Sequence, residues 1–231
     1  HTQTNPMEEI EYIRNQTGKE PLLRGFEMLA YSPNINYQDA SKECLTEVYE
    51  NRNTMETALN WAIETRGIVT LTFHWFSPLG GHDKSFYAKN TEFDAEQMLI
   101  EGTPERIAFY HDMDIIASEL KKFRDADIPV LWRPFHEADG KWFWWGKGGA
   151  EDFKKLWIIM YDRYTNYWGL DNLIWVLGYS GNGNGYANWY PGSQYVDIAG
   201  ADSYNDGANG NLYKKVVTVA GTDMPVCFHE C

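Results

Sequence analysis

Two glutamates in this chain stand where an acid is unexpected, at the end of an apolar run. Glu137 follows His136 at the end of the run 128–135, and Glu230 ends the last apolar run of the sequence. Burial and neighbouring charges can shift the pKa of such a carboxyl group, which suits a general acid, a base or a nucleophile. A salt bridge from Glu137 to Arg133 that only stabilises the fold is the structural alternative, and position alone leaves both interpretations open.

Large aromatic side chains follow the first of these acids. Trp142, Phe143, Trp144 and Trp145 come a few residues after Glu137, and aromatic residues make up 16% of the chain, more than a core of this size needs. Tyr and Trp join a flat apolar face to a polar edge and therefore suit amphipathic ligands such as sugars. Trp144 and Trp145 are interpreted as packing residues that brace the loop. Two facing carboxylates over a sugar indicate glycoside hydrolysis, in which one protonates the leaving oxygen and the other attacks the anomeric carbon or activates water.

Six apolar runs rich in β-branched and aromatic residues are predicted as strands. They are apolar almost throughout, as parallel strands covered on both faces are. Helical spacing appears between them at 53–65, 112–125 and 150–167, so the order of strand, helix and strand predicts an α/β fold. The predicted strands are 22–29, 68–75, 128–135, 172–179, 195–202 and 224–230.

Two layouts fit this order, a doubly wound open sheet and a (β/α)8 TIM barrel. A dinucleotide-binding open sheet needs a glycine fingerprint between its first strand and helix, whereas the glycine-rich segment 178–192 lies late and leads into "WYPG". A barrel gathers its chemical residues at the carboxyl ends of its strands. The strand ends carry His74, Glu137, Asp202, Tyr204 and Glu230. The sequence therefore predicts a TIM barrel and disfavours an NAD-dependent oxidoreductase.

Side-chain alternation and helix position give two further expectations. Because a strand repeats every two residues, Arg133, Phe135 and Glu137 are predicted to share one face, toward the barrel interior. Asp112 and Asp114, beside a histidine, are interpreted as acids favoured at a helix N-terminus and not as metal ligands. No metal and no other cofactor is predicted.

Composition limits the partners of the chain. A net charge of −13 argues against nucleic acid and against an anionic membrane surface, so a neutral ligand is favoured. No apolar run approaches the ~20 residues that span a bilayer, and the first ten residues are not a signal peptide. Cys44, Cys227 and Cys231 have no metal-binding spacing and cannot all pair within the chain, which leaves one disulfide open. One catalytic domain over 1–231 is expected.

Four segments together resemble glycoside hydrolase family 26, most of whose members are endo-acting β-1,4-mannanases. They are "GIVTLTFHW", "PVLWRPFHEADGKWFWWG", "NLIWV" and "WYPGSQYVDIAGADSY", and the likeness covers nearly the whole chain. The resemblance implies a TIM barrel that cleaves β-1,4-mannosidic linkages in mannan, galactomannan or glucomannan by double displacement, with retention of configuration. Polymeric mannan cannot enter a cell, so a secreted protein is expected, and a monomer.

The resemblance also implies roles for the residues around the two acids. Glu137 is the acid/base and Glu230 the nucleophile. His136 lies near the sugar 2-hydroxyl and the nucleophile. Arg133 and Tyr204 hold the nucleophile ionised and oriented, as a cation and a hydroxyl donor do for a carboxylate.

Three further residues are implied to contact the substrate. Trp142 resembles the stacking residue at the cleavage site, and His74 and Asp202 resemble contacts to sugar hydroxyls. For His74 a core histidine satisfied by the backbone is the alternative. Other functions also stay open, since relatives that cut β-1,3-xylan or mixed-linkage β-glucan (lichenases) share the catalytic pair. A non-catalytic carbohydrate-binding protein is a further alternative, but it has no need of two opposed acids.

The resemblance implies more strands than the sequence shows. A barrel with Glu137 on its fourth strand needs three strands before it, and two are visible. His1 is interpreted as the end of the first strand, and Cys231 directly follows Glu230, which leaves no eighth strand. We therefore expect a TIM barrel truncated at both ends, whose open edges make it poorly stable alone.

Overall fold

The computed structural model describes residues 5–204 and 207–230 of the chain. Its centre is a parallel sheet in which the six strands lie side by side in their order along the sequence. Each predicted apolar run contains one strand, so the predicted α/β order is confirmed. The strands are β1 (Leu23–Glu27), β2 (Ile68–Thr72), β3 (Val130–Arg133), β4 (Leu173–Tyr179), β5 (Ile198–Ala201) and β6 (Val226–Phe228).

Helices connect the strands and cover one face of the sheet. The α-helices are α1 (Glu8–Thr17), α2 (Lys42–Glu50), α3 (Thr54–Thr65), α4 (Ala95–Met98), α5 (Pro104–Asp125), α6 (Trp144–Lys147), α7 (Ala150–Asp162) and α8 (Gly210–Ala220). A π-helical turn, Arg163–Tyr167, extends α7. Short 3-10 helices span Leu29–Tyr31, Ala88–Asn90, Ala138–Gly140, Tyr186–Trp189 and Ser193–Tyr195.

The two faces of the sheet have different neighbours. On β2 and β3, Leu71 pairs in register with Trp132, and both side chains are fully buried with their flanking apolar neighbours. The next residue on each strand, Thr72 on β2 and Arg133 on β3, belongs to the opposite face and lines a cleft of about 1270 Å³. This arrangement is that of part of a TIM barrel, in which helices cover the outer face and the functional side chains lie at the carboxyl ends of the strands. Within the described residues, β1 and β6 form the two edges of the sheet.

The prediction that Phe135 shares a face with Arg133 and Glu137 is wrong. β3 ends at Arg133, and Phe135 has a left-handed backbone with φ of 50°, so the two-residue alternation stops before it. The Phe135 ring is buried and stacks on Trp75 and on Phe109 of α5, at centroid distances of 5.9 and 6.5 Å. Phe135 therefore packs against aromatic rings on the helix-covered side of the sheet instead of facing the barrel interior.

The interpretation of Asp112 and Asp114 as helix-capping acids is also wrong. The helix begins earlier than predicted, at Pro104, where the Thr103 hydroxyl accepts the N-terminal hydrogen bond from the backbone N–H of Arg106. Both acids consequently lie in the middle of α5. Asp112 is buried and accepts hydrogen bonds from the Trp75 indole and from an asparagine amide.

His1 is interpreted from the sequence as the end of a first strand, and Cys231 as leaving no eighth strand. Both residues lie outside the described part. In the described part, no helix is both long enough and apolar enough to cross a membrane.

Candidate active site

Glu137 lies just beyond the carboxyl end of β3, on a turn with an unusual backbone. Its φ of 53° is in the left-handed region that residues other than glycine rarely adopt. Its N–H donates to the carbonyl of Gly178 on β4 at 2.8 Å, which fixes the turn against the neighbouring strand. The indole of Trp142 donates to Glu137 Oε2 at 3.2 Å. Burial, a hydrogen bond shared with Asp202 and nearby negative charge raise the pKa of Glu137 to about 8.

Glu230 lies at the equivalent end of β6 and is held as an ionised carboxylate. Its carbonyl accepts from the N–H of Ser203 at 2.7 Å, which continues the pairing of β5 with β6. Arg133 Nη1 donates to Glu230 Oε1 at 2.6 Å, and the Tyr204 hydroxyl donates to Oε2. Burial by itself would raise the pKa of Glu230, but Arg133 and Tyr204 outweigh it, so the pKa lies below its ordinary value.

Arg133 connects the two halves of the site. Its Nη2 donates to both carboxylate oxygens of Asp202, each at 2.8 Å, while Nη1 binds Glu230. The guanidinium is buried and passes close to the backbone of β4, where a Cβ on Gly178 would come within 2.8 Å of Nε. Burial alone would raise the pKa of Asp202, and despite the opposing charge of Arg133 this pKa stands at about 6.

The charges of this cluster determine where the proton resides. One arginine faces three carboxyl groups, those of Glu137, Asp202 and Glu230, and a single cation cannot stabilise three negative charges of which one is buried and two are partly buried. Glu137 has no hydrogen bond from Arg133 and has the highest pKa of the three. At neutral pH it therefore holds a proton while Glu230 is ionised.

The ion pair of Arg133 with Glu230 also requires a curved sheet. Neighbouring strands lie roughly 4.8 Å apart, so β3 and β6 would be about 14 Å apart in a flat sheet. Arg133 nevertheless reaches Glu230 across that interval. Curvature of the sheet brings both strand ends to one cleft, as in a barrel.

A pair of histidines borders the carboxylates. His136 Nε2 lies 3.1 Å from His74 Nε2, and His74 Nδ1 lies 2.8 Å from Oε2 of Glu27 at the end of β1. The His136 ring is 1% exposed, and burial, the nearby His74 and Arg133 hold its pKa well below the ordinary value. His74 is partly exposed to the cleft. Both of its ring nitrogens have side-chain partners, so it is not a core histidine satisfied by the backbone.

The aromatic residues after Glu137 divide into two groups. Trp142 is 37% exposed and lies beside Glu137. Trp144 and Trp145 are fully buried, and their indoles donate to the carbonyls of Trp75 and His136, both at 2.8 Å. The interpretation of these two as packing residues is confirmed.

All the residues proposed from the sequence come together at this edge of the sheet. The set comprises His74, Arg133, His136, Glu137, Trp142, Asp202, Tyr204 and Glu230. Sequence reasoning missed Glu27, which ends β1 but lies inside the predicted run 22–29. It also missed His229, whose ring lies over Gly178 and Gly200 and whose pKa burial and Arg133 lower to about 3.

The described residues contain no group of three or more His, Cys, Asp or Glu side chains that could hold a metal ion. Asp114, one of the acids considered for that role, is paired with Arg163 at 2.6 and 2.7 Å. Among the cysteines, Cys44 is buried and Cys227 is exposed, and both are free thiols. Cys231 lies beyond the part that the structure describes.

A parallel curved sheet with opposed carboxyl groups at its carboxyl end defines the class, a TIM-barrel protein with a glycosidase-like site. The model of glycosyl hydrolase family 26 matches residues 1–230. The chain belongs to this family.

Relatives with the same architecture are known. A mannan endo-1,4-β-mannosidase of Thermothelomyces thermophilus is 38% identical over 213 residues, which cover 87% of this chain and 40% of that protein. The GH26-CBM35 β-(1,4)-mannanase of Podospora anserina superposes with a TM-score of 0.81 and 35% identity, over 96% of this chain and 49% of that one.

A third relative was solved with a sugar. A β-mannanase from a symbiotic protist of the termite Reticulitermes speratus, complexed with gluco-manno-oligosaccharide, has a TM-score of 0.82 and 32% identity, over 100% of this chain and 72% of that one. The chain thus spans 40% of the Thermothelomyces protein and about half of the Podospora structure.

Proposed function

We propose that this protein is an endo-acting, retaining glycoside hydrolase that cleaves β-1,4-mannosidic linkages in mannan, galactomannan or glucomannan. The observation that carries the proposal is the opposite shift of two carboxyl pKa values at one edge of the sheet, up to about 8 for Glu137 and down for Glu230. Two carboxyl groups whose pKa values differ in this way supply a proton donor and a nucleophile at the same pH.

In the first step Glu137 gives its proton to the glycosidic oxygen while Glu230 attacks the anomeric carbon. The bond between that carbon and the leaving oxygen breaks, and a covalent glycosyl ester on Glu230 forms. The shared hydrogen bond between Glu137 and Asp202 keeps the acid protonated until substrate arrives. Arg133 and Tyr204 keep Glu230 ionised and aimed.

In the second step Glu137, now a carboxylate, takes a proton from water as the oxygen of that water attacks the anomeric carbon. The ester bond breaks, Glu230 returns to its ionised form and Glu137 to its protonated form. Two displacements at the same carbon retain its configuration.

The remaining site residues bind the sugar. Trp142 offers an exposed indole face beside Glu137 for stacking. His74 is assigned a contact to sugar hydroxyls and His136 a place near the 2-hydroxyl. The contact that the resemblance implies for Asp202 is not available in this structure, because Asp202 is fully buried and both its carboxylate oxygens accept from Arg133. The His136 ring is buried and its Nε2 contacts Nε2 of His74. His136 therefore acts on the sugar indirectly, by orienting His74.

The mannan assignment rests on relatives whose names specify it and on a relative complexed with gluco-manno-oligosaccharide. A polymeric substrate implies that the protein is secreted, and we propose that it acts as a monomer with one catalytic unit over residues 1–231. A shorter match to an endoglucanase of Acetivibrio thermocellus keeps β-glucan as a substrate to be compared.

Hydrolysis of mannan, β-1,3-xylan and lichenan, measured side by side, tests the substrate. Preference for xylan or lichenan would replace the mannanase assignment, and binding without hydrolysis of any polymer would indicate a carbohydrate-binding protein.

The mechanism is tested with Glu137→Ala and Glu230→Ala on an aryl β-mannoside in the presence of azide. We expect a β-glycosyl azide from the first variant and an α-glycosyl azide from the second, because azide replaces water in one case and the nucleophile in the other. Proton NMR of the wild-type reaction should show the β-anomer first. Initial formation of the α-anomer would exclude double displacement.

A further inference from the structure

Glu27 has no part in the proposed chemistry, yet its carboxylate is fully engaged at the edge of the site. Oε1 accepts from the backbone N–H of His74 at 2.8 Å and from that of Leu29 at 2.9 Å. Oε2 lies 2.8 Å from His74 Nδ1. The side chain is 11% exposed, so water competes little for these contacts.

This geometry determines which nitrogen of His74 carries hydrogen. An ionised carboxylate only accepts hydrogen bonds, so His74 Nδ1 must be the donor. The neutral ring then has a bare Nε2, which faces His136 Nε2 at 3.1 Å. Since that contact needs one hydrogen, His136 must supply it from Nε2, and His136 Nδ1 is left without hydrogen.

The other nitrogen of His136 agrees with this assignment. Nδ1 is buried and has no hydrogen-bond partner in the described residues. A buried N–H without an acceptor is rarer and more costly than an acceptor with an unused lone pair. The nearby cation of Arg133 also favours a lone pair over a further N–H dipole.

We propose that Glu27 is a positioning residue that sets the tautomers of both histidines. It holds His74 with hydrogen on Nδ1, and His74 in turn holds His136 with hydrogen on Nε2, directly before Glu137 in the chain. Glu27, His74 and His136 thus form a hydrogen-bond relay from the end of β1 to the residue that directly precedes the acid.

The variant Glu27→Gln inverts this relay without removing it. The two backbone donors of Leu29 and His74 require the amide oxygen at the position of Oε1, which places the NH₂ group against His74 Nδ1. His74 must then accept at Nδ1 and carry hydrogen on Nε2. His136 in turn must carry hydrogen on Nδ1, a buried position without an acceptor among the described residues.

The test is ¹⁵N NMR of protein labelled at histidine, at a pH above the range in which the ring shifts titrate. Wild type should show His74 protonated at Nδ1 and His136 at Nε2, and Glu27→Gln should show both reversed. Asp39→Asn is the matched control, because Asp39 contacts His82 Nδ1 at 2.6 Å in an exposed pair. It should leave both site histidines unchanged.

Hydrogen on Nε2 of His74 in the wild type, or tautomers that Glu27→Gln leaves unchanged, would overturn the proposal. If the variant does not fold, the wild-type spectrum alone decides the assignment.

A kinetic readout connects the relay to catalysis and rests on the proposed function. Misplacing His136 displaces its neighbour Glu137, so Glu27→Gln should lower kcat on mannan on the order of tenfold, the effect of one unmet hydrogen bond. KM should change less than kcat, because Trp142 still stacks on the sugar and only the His74 contact is altered. Reversed tautomers with unchanged kcat would overturn the positioning role. Tautomers as expected in a protein that hydrolyses no mannan would instead refute the proposed function and leave the relay standing.

Discussion

Arg133→Met removes the cation from the centre of the site. Arg133 is 3% exposed and donates to Glu230 at 2.6 Å and to both oxygens of Asp202 at 2.8 Å. Methionine fills much of the aliphatic volume but leaves the buried Asp202 and the partly buried Glu230 without a counter-charge. Breaking a buried ion pair on one side costs about 3–5 kcal/mol, so we expect the free energy of unfolding at pH 7 to fall by that amount.

The loss should become smaller in acid. The pKa of Asp202 is about 6 even beside Arg133, so well below that pH Asp202 is protonated in both proteins and its share of the loss disappears. The folded-state pKa of Glu230 is lowered, so its stabilisation is present above its unfolded pKa and is lost only as the pH falls through the folded value. We therefore expect about half of the loss to remain near pH 4.5.

Urea unfolding, monitored by tryptophan fluorescence at pH 7 and near pH 4.5, measures the loss of unfolding free energy at each pH. Arg163→Met serves as the control, because Arg163 pairs with Asp114 at similar distances in a more exposed position. It should cost about 1 kcal/mol or less. A loss below about 1 kcal/mol for Arg133→Met, or an equal loss at both pH values, would refute the account of the buried cluster.

Three further predictions follow from the same geometry. The kcat/KM profile should decline on the alkaline side with a midpoint near pH 8, where Glu137 loses its proton; an alkaline limb well above that pH would contradict its role as acid. Tyr204→Phe should lower kcat by about tenfold and move the acid limb to higher pH, because Glu230 loses a donor that lowers its pKa; an unmoved acid limb in the pH–rate profile would disprove the link. Trp142→Ala should raise KM for manno-oligosaccharides and leave the free energy of unfolding in urea nearly unchanged. Trp144→Ala should instead lower the free energy of unfolding by about 3–5 kcal/mol. Equal losses of stability in the two variants would refute the division into contact and packing residues.

Much of the fold could be predicted because its signals are local. Six apolar runs became six strands, and the acids that end two of them lie at the same edge of the sheet. Helix α8 was missed, although Asn209 caps its N-terminus by accepting from the N–H of Leu212. The start of α5 was missed as well, because the threonine and proline that begin it precede the stretch with clear helical spacing.

Errors of side-chain direction came from the ends of elements. Phe135 was assigned to the inner face because alternation was carried past Arg133, where a left-handed turn ends the strand. Glu27 was overlooked because its partner, His74, lies 47 residues away in the sequence, and no local pattern predicts a contact over that distance.

Local patterns were sufficient to predict the order of strands and helices, the placement of Glu137 and Glu230 at strand ends and the aromatic loop beside the first acid. These features depend on periodicity and composition over a few residues. Which acid holds the proton could not be read from such patterns. That choice depends on Arg133, which lies 97 residues from Glu230 and reaches it because the sheet curves. A carboxyl pKa reports the charges, donors and burial around it, and these are assembled only when distant segments meet.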